Sequence, residues 1–302
     1  MKRFNQCFAA LSATFFVLAG CSGGNPFEET TDPDEEAVIP ESISFDLDSV
    51  TYNSSADTLT VRGIGVDNTP YEAVYTRAAD LDRGGYQAYT SQSSPITRHS
   101  TAYYKTEGST RASVVVTGGQ FEHYFGGARY ARSGSFDAPN VSDQNRIISY
   151  GGNYVGLLNV GGDGGDLKTP AAGTDPSVLP VQAAEVTGKV LVNADFTQNI
   201  VEGTVYNREI TDMPLVEMRD LALAPGALDP DNGFFSGNVT IDTQNKGEYG
   251  GVFGGVNSSS VAGGLHVSDH IDEFDDEEEF GIFVLPKCGT DGDDAVCDQP
   301  GT

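Results

Sequence analysis

The residues best suited to chemistry form an acidic run near the carboxyl end of the chain. Residues 269–279 hold eight carboxylates, with His266 just before them and His270 among them. The eight are Asp269, Asp272, Glu273, Asp275, Asp276, Glu277, Glu278 and Glu279. Such a run could collect cations or face a basic partner protein. The alternative, which the density of like charge favours, is a solvated loop whose carboxylates repel one another.

The two histidines beside this run do not predict a metal site. His266 and His270 are four positions apart, a spacing that places two side chains on one face of a helix. Here the spacing crosses the end of a predicted strand, where it loses that meaning. We therefore expect neither a metal ion nor another cofactor at these residues.

Two further acidic segments resemble calcium sites only in part. Residues 161–166 read Gly-Gly-Asp-Gly-Gly-Asp, like the opening of a calcium-binding nonapeptide, but they occur once and are followed by Lys168 where that repeat needs an apolar residue. Such repeats work by stacking on neighbouring copies, so a flexible loop is favoured. Residues 291–294 lack the glycine and terminal glutamate of an EF-hand loop. Both segments are interpreted as solvated turns.

The cysteines indicate an exported protein. Cys7 lies in the predicted leader and Cys21 is the predicted lipidation site, which leaves Cys288 and Cys297, nine positions apart. In an oxidising compartment such a pair is expected to form a disulfide. Zinc binding is the weaker alternative, because two cysteines cannot fill a tetrahedral site.

Enzyme signatures are missing from the sequence. It has no nucleophile elbow, no zinc-protease motif, no phosphate loop and no dinucleotide fingerprint. A glycosidase-like carboxylate pair stays open, because such pairs follow no local spacing. Forty-four acidic against 17 basic residues give a net charge of −27, which argues against a nucleic-acid partner. We expect a protein that is not an enzyme and has no catalytic residues.

The amino terminus has the pattern of a bacterial lipoprotein. Lys2 and Arg3 precede an apolar segment over residues 8–17, and residues 18–21 read Leu-Ala-Gly-Cys. Residues 1–20 are therefore predicted to be a signal peptide, with Cys21 carrying diacylglycerol and an amide-linked palmitate. An ordinary signal peptide that happens to contain a cysteine is the alternative. Ser22 after the acylated cysteine points to the outer membrane, with the protein anchored at the cell surface.

The mature chain begins with a tether and continues into short apolar runs. Residues 21–41 are rich in proline and carboxylates and predict a disordered acidic tether. Residues 42–140 predict a β domain, because alternating runs are separated by Gly, Asn, Asp and Pro. Its predicted strands cover residues 43–47, 58–61, 71–75, 86–89, 102–105, 112–117 and 121–125.

A partner surface is predicted in this first domain. Tyr103, Tyr104 and Arg129 lie in its least acidic part, and tyrosine and arginine are enriched in protein interfaces. The alternative is that the tyrosines pack in the core and at the edges of a small sheet.

The second half predicts a barrel. Its eight candidate strands cover residues 153–158, 186–196, 200–207, 216–223, 234–241, 246–253, 260–267 and 280–285. Eight strands close a small barrel with a filled interior. The fold expected is thus all-β, with an N-terminal β domain followed by an eight-stranded antiparallel β-barrel over residues 145–288. Residues 289–302 form a tail with the disulfide loop.

One hairpin of this barrel resembles a known family. Residues 251–254 read Gly-Val-Phe-Gly, and after a short turn residues 258–263 read Ser-Ser-Ser-Val-Ala-Gly. This pair resembles the C-terminal barrel of transferrin-binding protein B-like surface lipoproteins, with serine where that family has alanine and glutamate. With the run at 234–241 the likeness covers roughly the last half of the chain. The resemblance implies that the protein captures a solute or partner protein, as in nutrient or iron acquisition.

The function expected is therefore a non-catalytic outer-membrane lipoprotein that binds a solute or partner protein through loops of both domains. The alternative is a structural or adhesive envelope lipoprotein whose acidic surface makes cation-dependent contacts.

Overall fold

The structure, a computed structural model, describes residues 38–119, 123–142, 146–290 and 293–298, which lie in one compact unit. The predicted leader, the acylation site Cys21 and the tether up to residue 37 lie outside these ranges. Within them, no helix is long and apolar enough to cross a membrane.

Seven antiparallel strands form a single sheet in chain order. They are β1 (Leu47–Asn53), β2 (Thr58–Ile64), β3 (Pro70–Arg77), β4 (Gln87–Ser91), β5 (Ser100–Glu107), β6 (Thr110–Thr117) and β7 (Gly126–Arg132). In β2 the alternate residues Leu59 and Val61 are fully buried, as a strand with one covered face requires. Strand β6, which pairs with β5 and β7, is buried along both faces, which explains its continuous apolar run.

Two of the strands predicted in this half are corrected. Residues 43–47 were expected to be a strand, but Glu41–Ser44 form a short helix α1 after Pro40, and the strand begins at Leu47. The strand expected at 121–125 is instead β7, Gly126–Arg132, while residues 120–122 lie outside the described ranges. Gly126 and Gly127 have no side chains, so the apolar alternation that marks a strand is missing there.

Eight antiparallel strands follow and close a barrel in the order β10-β11-β12-β13-β14-β15-β8-β9. They are β8 (Ile147–Gly161), β9 (Ala183–Asp195), β10 (Ile200–Ile210), β11 (Leu221–Leu228), β12 (Phe234–Ile241), β13 (Gln244–Gly254), β14 (Ser260–Ser268) and β15 (Glu278–Pro286). This confirms the predicted fold class. The strand expected at 216–223 begins later, at Leu221, and its pairing with β12 shifts register between Leu223 and Ala227.

Large aromatic side chains fill the barrel. Tyr154, Tyr249, Phe253 and Phe283 are fully buried in one apolar cluster inside it. Strand glycines make room for these rings, since a Cβ added at Gly281 would lie 1.8 Å from the hydroxyl oxygen of Tyr154. A barrel of this strand number has space for side chains and little more, and here aromatic rings occupy that space.

The seven-stranded sheet lies against the outside of this barrel. Tyr86 and Tyr103 of the sheet share an apolar cluster with Val252, Phe280 and Ile282, whose side chains point out of the barrel. The Tyr86 hydroxyl donates to the carbonyl of Asn153 at 2.8 Å and accepts from the amide of Val284 at 3.0 Å. Sheet and barrel therefore share a buried core.

Candidate functional site

The acidic run lies at one end of the barrel. Residues 211–220 join β10 to β11, residues 242–243 join β12 to β13, and residues 269–277 join β14 to β15. Because neighbouring strands alternate in direction, these three loops meet at the same end. We call them the crown.

Two of the eight carboxylates expected to be solvated are buried. Glu277 is 1% exposed and Glu279 is fully excluded from solvent, which corrects the interpretation of the whole run as a solvated loop. A buried carboxylate is stable only if it is hydrogen-bonded or paired. Oε1 of Glu277 accepts the amides of His270 and Ile271, the latter at 2.8 Å, and lies 3.1 Å from Nδ1 of His270. Glu277 thus closes the loop on itself.

Glu279 is the centre of a buried ionic cluster. Its Oε2 lies 2.5 Å from Nη2 of Arg208 and 3.0 Å from Nε2 of His270, and its Oε1 accepts the Tyr154 hydroxyl at 2.6 Å. Burial by itself would raise the pKa of Glu279, but the charge of Arg208 and the hydrogen bonds of His270 and Tyr154 lower that pKa to about 2. Glu279 is therefore ionised at every pH at which the protein is expected to work.

His270 completes this cluster from the loop. It is 2% exposed and lies between the carboxylates of Glu277 and Glu279. Burial favours the neutral ring, but hydrogen bonds to Glu277 and Glu279 outweigh it and raise the pKa of His270. When His270 is protonated, it and Arg208 balance the two carboxylates in charge. A balanced and hydrogen-bonded set is the form in which charges are tolerated in a protein interior.

The cluster also holds the neighbouring loop. Nη1 of Arg208 donates to the carbonyl of Arg219 at 2.7 Å. The Arg219 side chain lies 3.4 Å from Asp242 and 3.7 Å from Asp272, so one arginine contacts both other loops of the crown. From the opposite side, the Asn159 side chain of β8 accepts from the Glu278 amide at 3.0 Å.

Apolar side chains beneath the crown cover this end of the barrel. Ile271 is buried in the interior cluster, and the half-buried side chains of Met213, Val216, Met218 and Phe274 pack against it. The buried acid and base groups below are thereby kept from solvent, and their hydrogen bonds position the loops.

The structure separates the two histidines of the acidic run. His266 pairs with Glu278, not with the buried cluster, and its ring stacks on Phe280 with centroids 4.6 Å apart. His270 lies among the buried carboxylates. The four-residue spacing therefore does not create a shared ligand site.

In the segment that resembles a calcium nonapeptide, the aspartates already contact other groups of the protein. Oδ1 of Asp163 accepts the amide of Gly165 at 2.8 Å, and Asp166 lies 2.8 Å from Nε2 of the buried His99 in the sheet. The Lys168 amide donates to the side chain of Gln92 at 2.8 Å. This connection between β8 and β9 thus attaches to the sheet.

Cys288 and Cys297 form a disulfide, with an S–S distance of 1.97 Å and Cα atoms 5.3 Å apart. Together with Asp293 they are the only group of three potential metal ligands that converge within the described ranges. Their sulfurs are bonded to each other, and Asp293 accepts the amide of Gly289 at 2.6 Å. Asp291 lies outside the described residues.

The three residues predicted to bind a partner are not grouped on a surface. Tyr103 is fully buried between sheet and barrel, and its hydroxyl donates to the carbonyl of Leu81 at 3.1 Å. Tyr104 is 7% exposed, and its ring packs at a tilt against that of Tyr52, with ring centroids 5.0 Å apart. Half-buried Arg129 donates to the carbonyl of Leu47 at 3.3 Å. The structure does not support a partner surface built on the tyrosines, because buried rings cannot contact another protein.

Sequence reasoning missed the most informative residues of this end. Arg208 could have been noticed as an arginine inside a strand of a chain with few basic residues. Tyr154 gave no such signal, because its partner Glu279 is 125 positions away.

Comparison with known proteins gives matches among solved structures alone. No family model and no curated protein matches this chain. The vaccine antigen transferrin-binding protein B from Haemophilus parasuis aligns at 8% identity with a TM-score of 0.39, covering 76% of this chain and 51% of that chain. Intact Ap-TbpB, with N and C lobes, aligns at 8% identity with a TM-score of 0.37 over 76% of this chain and 52% of that chain. This chain thus spans about half the length of those two.

A structure described as a surface lipoprotein aligns at 14% identity with a TM-score of 0.35, covering 79% of this chain and 96% of that chain. The chain is similar, at low identity, to transferrin-binding protein B and surface lipoprotein structures.

Proposed function

We propose that this chain is a non-catalytic outer-membrane surface lipoprotein that binds a partner protein or solute through its exposed loops. The leader, the lipoprotein cysteine Cys21 and the acidic tether support the anchor. The motif at residues 251–263 suggests nutrient or iron acquisition as the setting.

The binding role is supported by two observations together: side chains fill the barrel interior, and buried contacts fix the loops of the crown. Aromatic rings occupy the interior, so a ligand must bind outside it. At the crown, buried contacts from Arg208, Glu277 and Glu279 fix loops that carry many exposed charges. Loops fixed before binding lose less conformational entropy when a partner arrives. This arrangement suits recognition.

A structural envelope protein with cation-dependent contacts is less well supported. Within the described ranges no three carboxylates converge as a metal site would require. The exposed carboxylates of the crown are therefore better placed to contact separate groups of a partner than to share one cation.

The test uses the whole lipidated chain in bilayer nanodiscs, exposed to growth medium and to cell extracts. We expect retention of a specific protein or small molecule, resistant to a metal chelator and absent with empty nanodiscs. Retention lost on chelation would favour the structural alternative. No retained species from any source would contradict the binding role.

A further inference from the structure

The crown carries one apolar side chain in an unusual position. Leu215 is 96% exposed, more than the other exposed large apolar side chains of the described residues. Its position is imposed by a turn, because the amide of Met213 donates to Ile210 at 2.9 Å and that of Val216 to Met213 at 3.0 Å. Met213 and Val216 pack on the barrel core while Leu215 projects outward.

Exposed carboxylates surround this leucine in sequence and in the adjoining loops. Nine lie in the crown, namely Asp212, Glu217, Asp220, Asp242, Asp269, Asp272, Glu273, Asp275 and Asp276. Arg219 is the single lysine or arginine within these loops, and it already contacts Asp242 and Asp272. Lys246 of β13 reaches the crown from outside and donates to the carbonyl of Asp269. Leu215 is thus an exposed apolar side chain surrounded by negatively charged carboxylates.

We propose that the crown docks a protein whose contact surface carries lysine and arginine around an apolar socket that receives Leu215. This rests on the proposed binding function and names its partner class. Positive side chains opposite the nine carboxylates relieve their mutual repulsion and steer the encounter. Leu215 supplies the apolar centre, and the carboxylates form the charged rim, which is the usual composition of an interface.

The fixed geometry of the crown strengthens this assignment. The carbonyl of Arg219 is held by the buried Arg208, and the Ile271 amide by the buried Glu277. The turn bearing Leu215 and the loop bearing Asp272 and Glu273 are therefore held by buried groups before a partner binds. An exposed leucine held this way contributes burial energy without a matching cost in ordering.

Other occupants fit less well. An anionic membrane surface would be repelled by the crown. A divalent cation lacks a converging set of carboxylates among the described residues. Both are retained as outcomes of the test.

The experiment places a photo-crosslinking amino acid at position 215 of the whole chain, displayed on cells. The matched control carries it at position 256, because Val256 is 74% exposed at the opposite end of the barrel. We expect an adduct from position 215 with a protein whose crosslinked surface is rich in lysine and arginine, and none from position 256. A lipid adduct, a crosslinked surface dominated by carboxylates, or equal adducts at both positions would overturn the proposal.

The crosslinked protein is then purified and its affinity measured against variants of the whole chain. Leu215→Ala should raise Kd about tenfold or more, and Val256→Ala less than twofold. Glu273→Gln with Asp275→Asn should slow association more than Glu202→Gln with Asp231→Asn, and added salt should reduce that difference. Poly-L-lysine serves as a probe of charge alone and should respond to the charge variants and not to Leu215→Ala.

Failure of this inference is distinguishable from failure of the binding function. A partner retained by nanodiscs but insensitive to every crown variant overturns the crown assignment and leaves the function intact. No partner from either experiment overturns both.

Discussion

Nη2 of Arg208 lies 2.5 Å from Oε2 of Glu279 inside the barrel, and neither side chain is exposed to solvent. Arg208→Met should therefore destabilise the protein by about 3–5 kcal/mol, because it leaves a buried carboxylate without its main partner. Urea unfolding measures the change. The double variant Arg208→Met with Glu279→Leu should recover much of the loss, since it removes both charges. A loss below about 1 kcal/mol in the single variant would contradict a buried pair.

The raised pKa of His270 makes stability depend on pH. A group whose pKa is higher in the folded state stabilises fully below its unfolded value of about 6.5, and that stabilisation is lost as pH rises through the folded value. Glu277 and Glu279 face this ring as negative groups and Arg208 as a positive one. The free energy of unfolding should thus fall as the pH rises above about 6.5.

His270→Gln tests this origin. The variant should be less stable than the natural protein below about pH 6.5 and should lose the decline at higher pH. His266→Gln, at a half-buried ring outside the cluster, is the control and should retain the decline. Identical pH profiles for the natural protein and His270→Gln would show that another group is responsible.

The disulfide should anchor the carboxyl-terminal tail. The amide of Cys288 donates to Ser149 at 2.8 Å, Lys189 lies 3.0 Å from Asp294, and Val296 is buried. The double variant Cys288→Ser with Cys297→Ser should lower the free energy that holds the tail in place by about 2–3 kcal/mol, because the open loop gains conformational freedom. We expect a protease to cleave the tail earlier in the double variant than in the natural protein. Peptide mass spectrometry without reductant should detect the linked pair, and two free thiols would refute the linkage.

Cys21→Ser should release the protein from membranes without altering the fold. The acyl chains, and not the β-structure, are expected to provide attachment. Detergent phase separation followed by circular dichroism measures both effects. A variant that stays in the detergent phase with an unchanged spectrum would refute the lipoprotein assignment.

The barrel alone, residues 145–302, should still close, because its eight strands leave no unpaired edge. It should nevertheless self-associate, since removing the sheet uncovers Val252, Phe280 and Ile282. Sedimentation and thermal melting give the outcome. Ile282→Lys should reduce association of the fragment. A monomeric fragment as stable as the whole chain would show that the shared core contributes little.

The strands were largely predictable because their signal is local. Strand β12 has the bounds expected from its alternating residues, Phe234–Ile241, and all eight barrel strands were located. Alternation failed at Ile43, where Pro40 begins a helix, and at Gly126, where side chains are missing.

The candidate site was only partly predictable, because its partners are distant in sequence. The acidic run was visible, but which carboxylates are buried depends on Arg208, 71 positions before Glu279. The sequence around Tyr103 and Tyr104 is compatible both with buried side chains and with exposed ones. Only the packing of the sheet against the barrel decides between these outcomes.

The close fit of strand glycines to aromatic rings has a consequence for how this protein can diverge. At Gly263 an added Cβ would lie 2.2 Å from the ring of Phe283, and at Gly281 it would lie 1.8 Å from the Tyr154 hydroxyl. Substitution at either position requires a matching change in the facing ring. The exposed crown carboxylates that do not contact Arg219 face no such ring and can vary singly. Selection can therefore retune what the loops recognise while the barrel sequence stays nearly fixed.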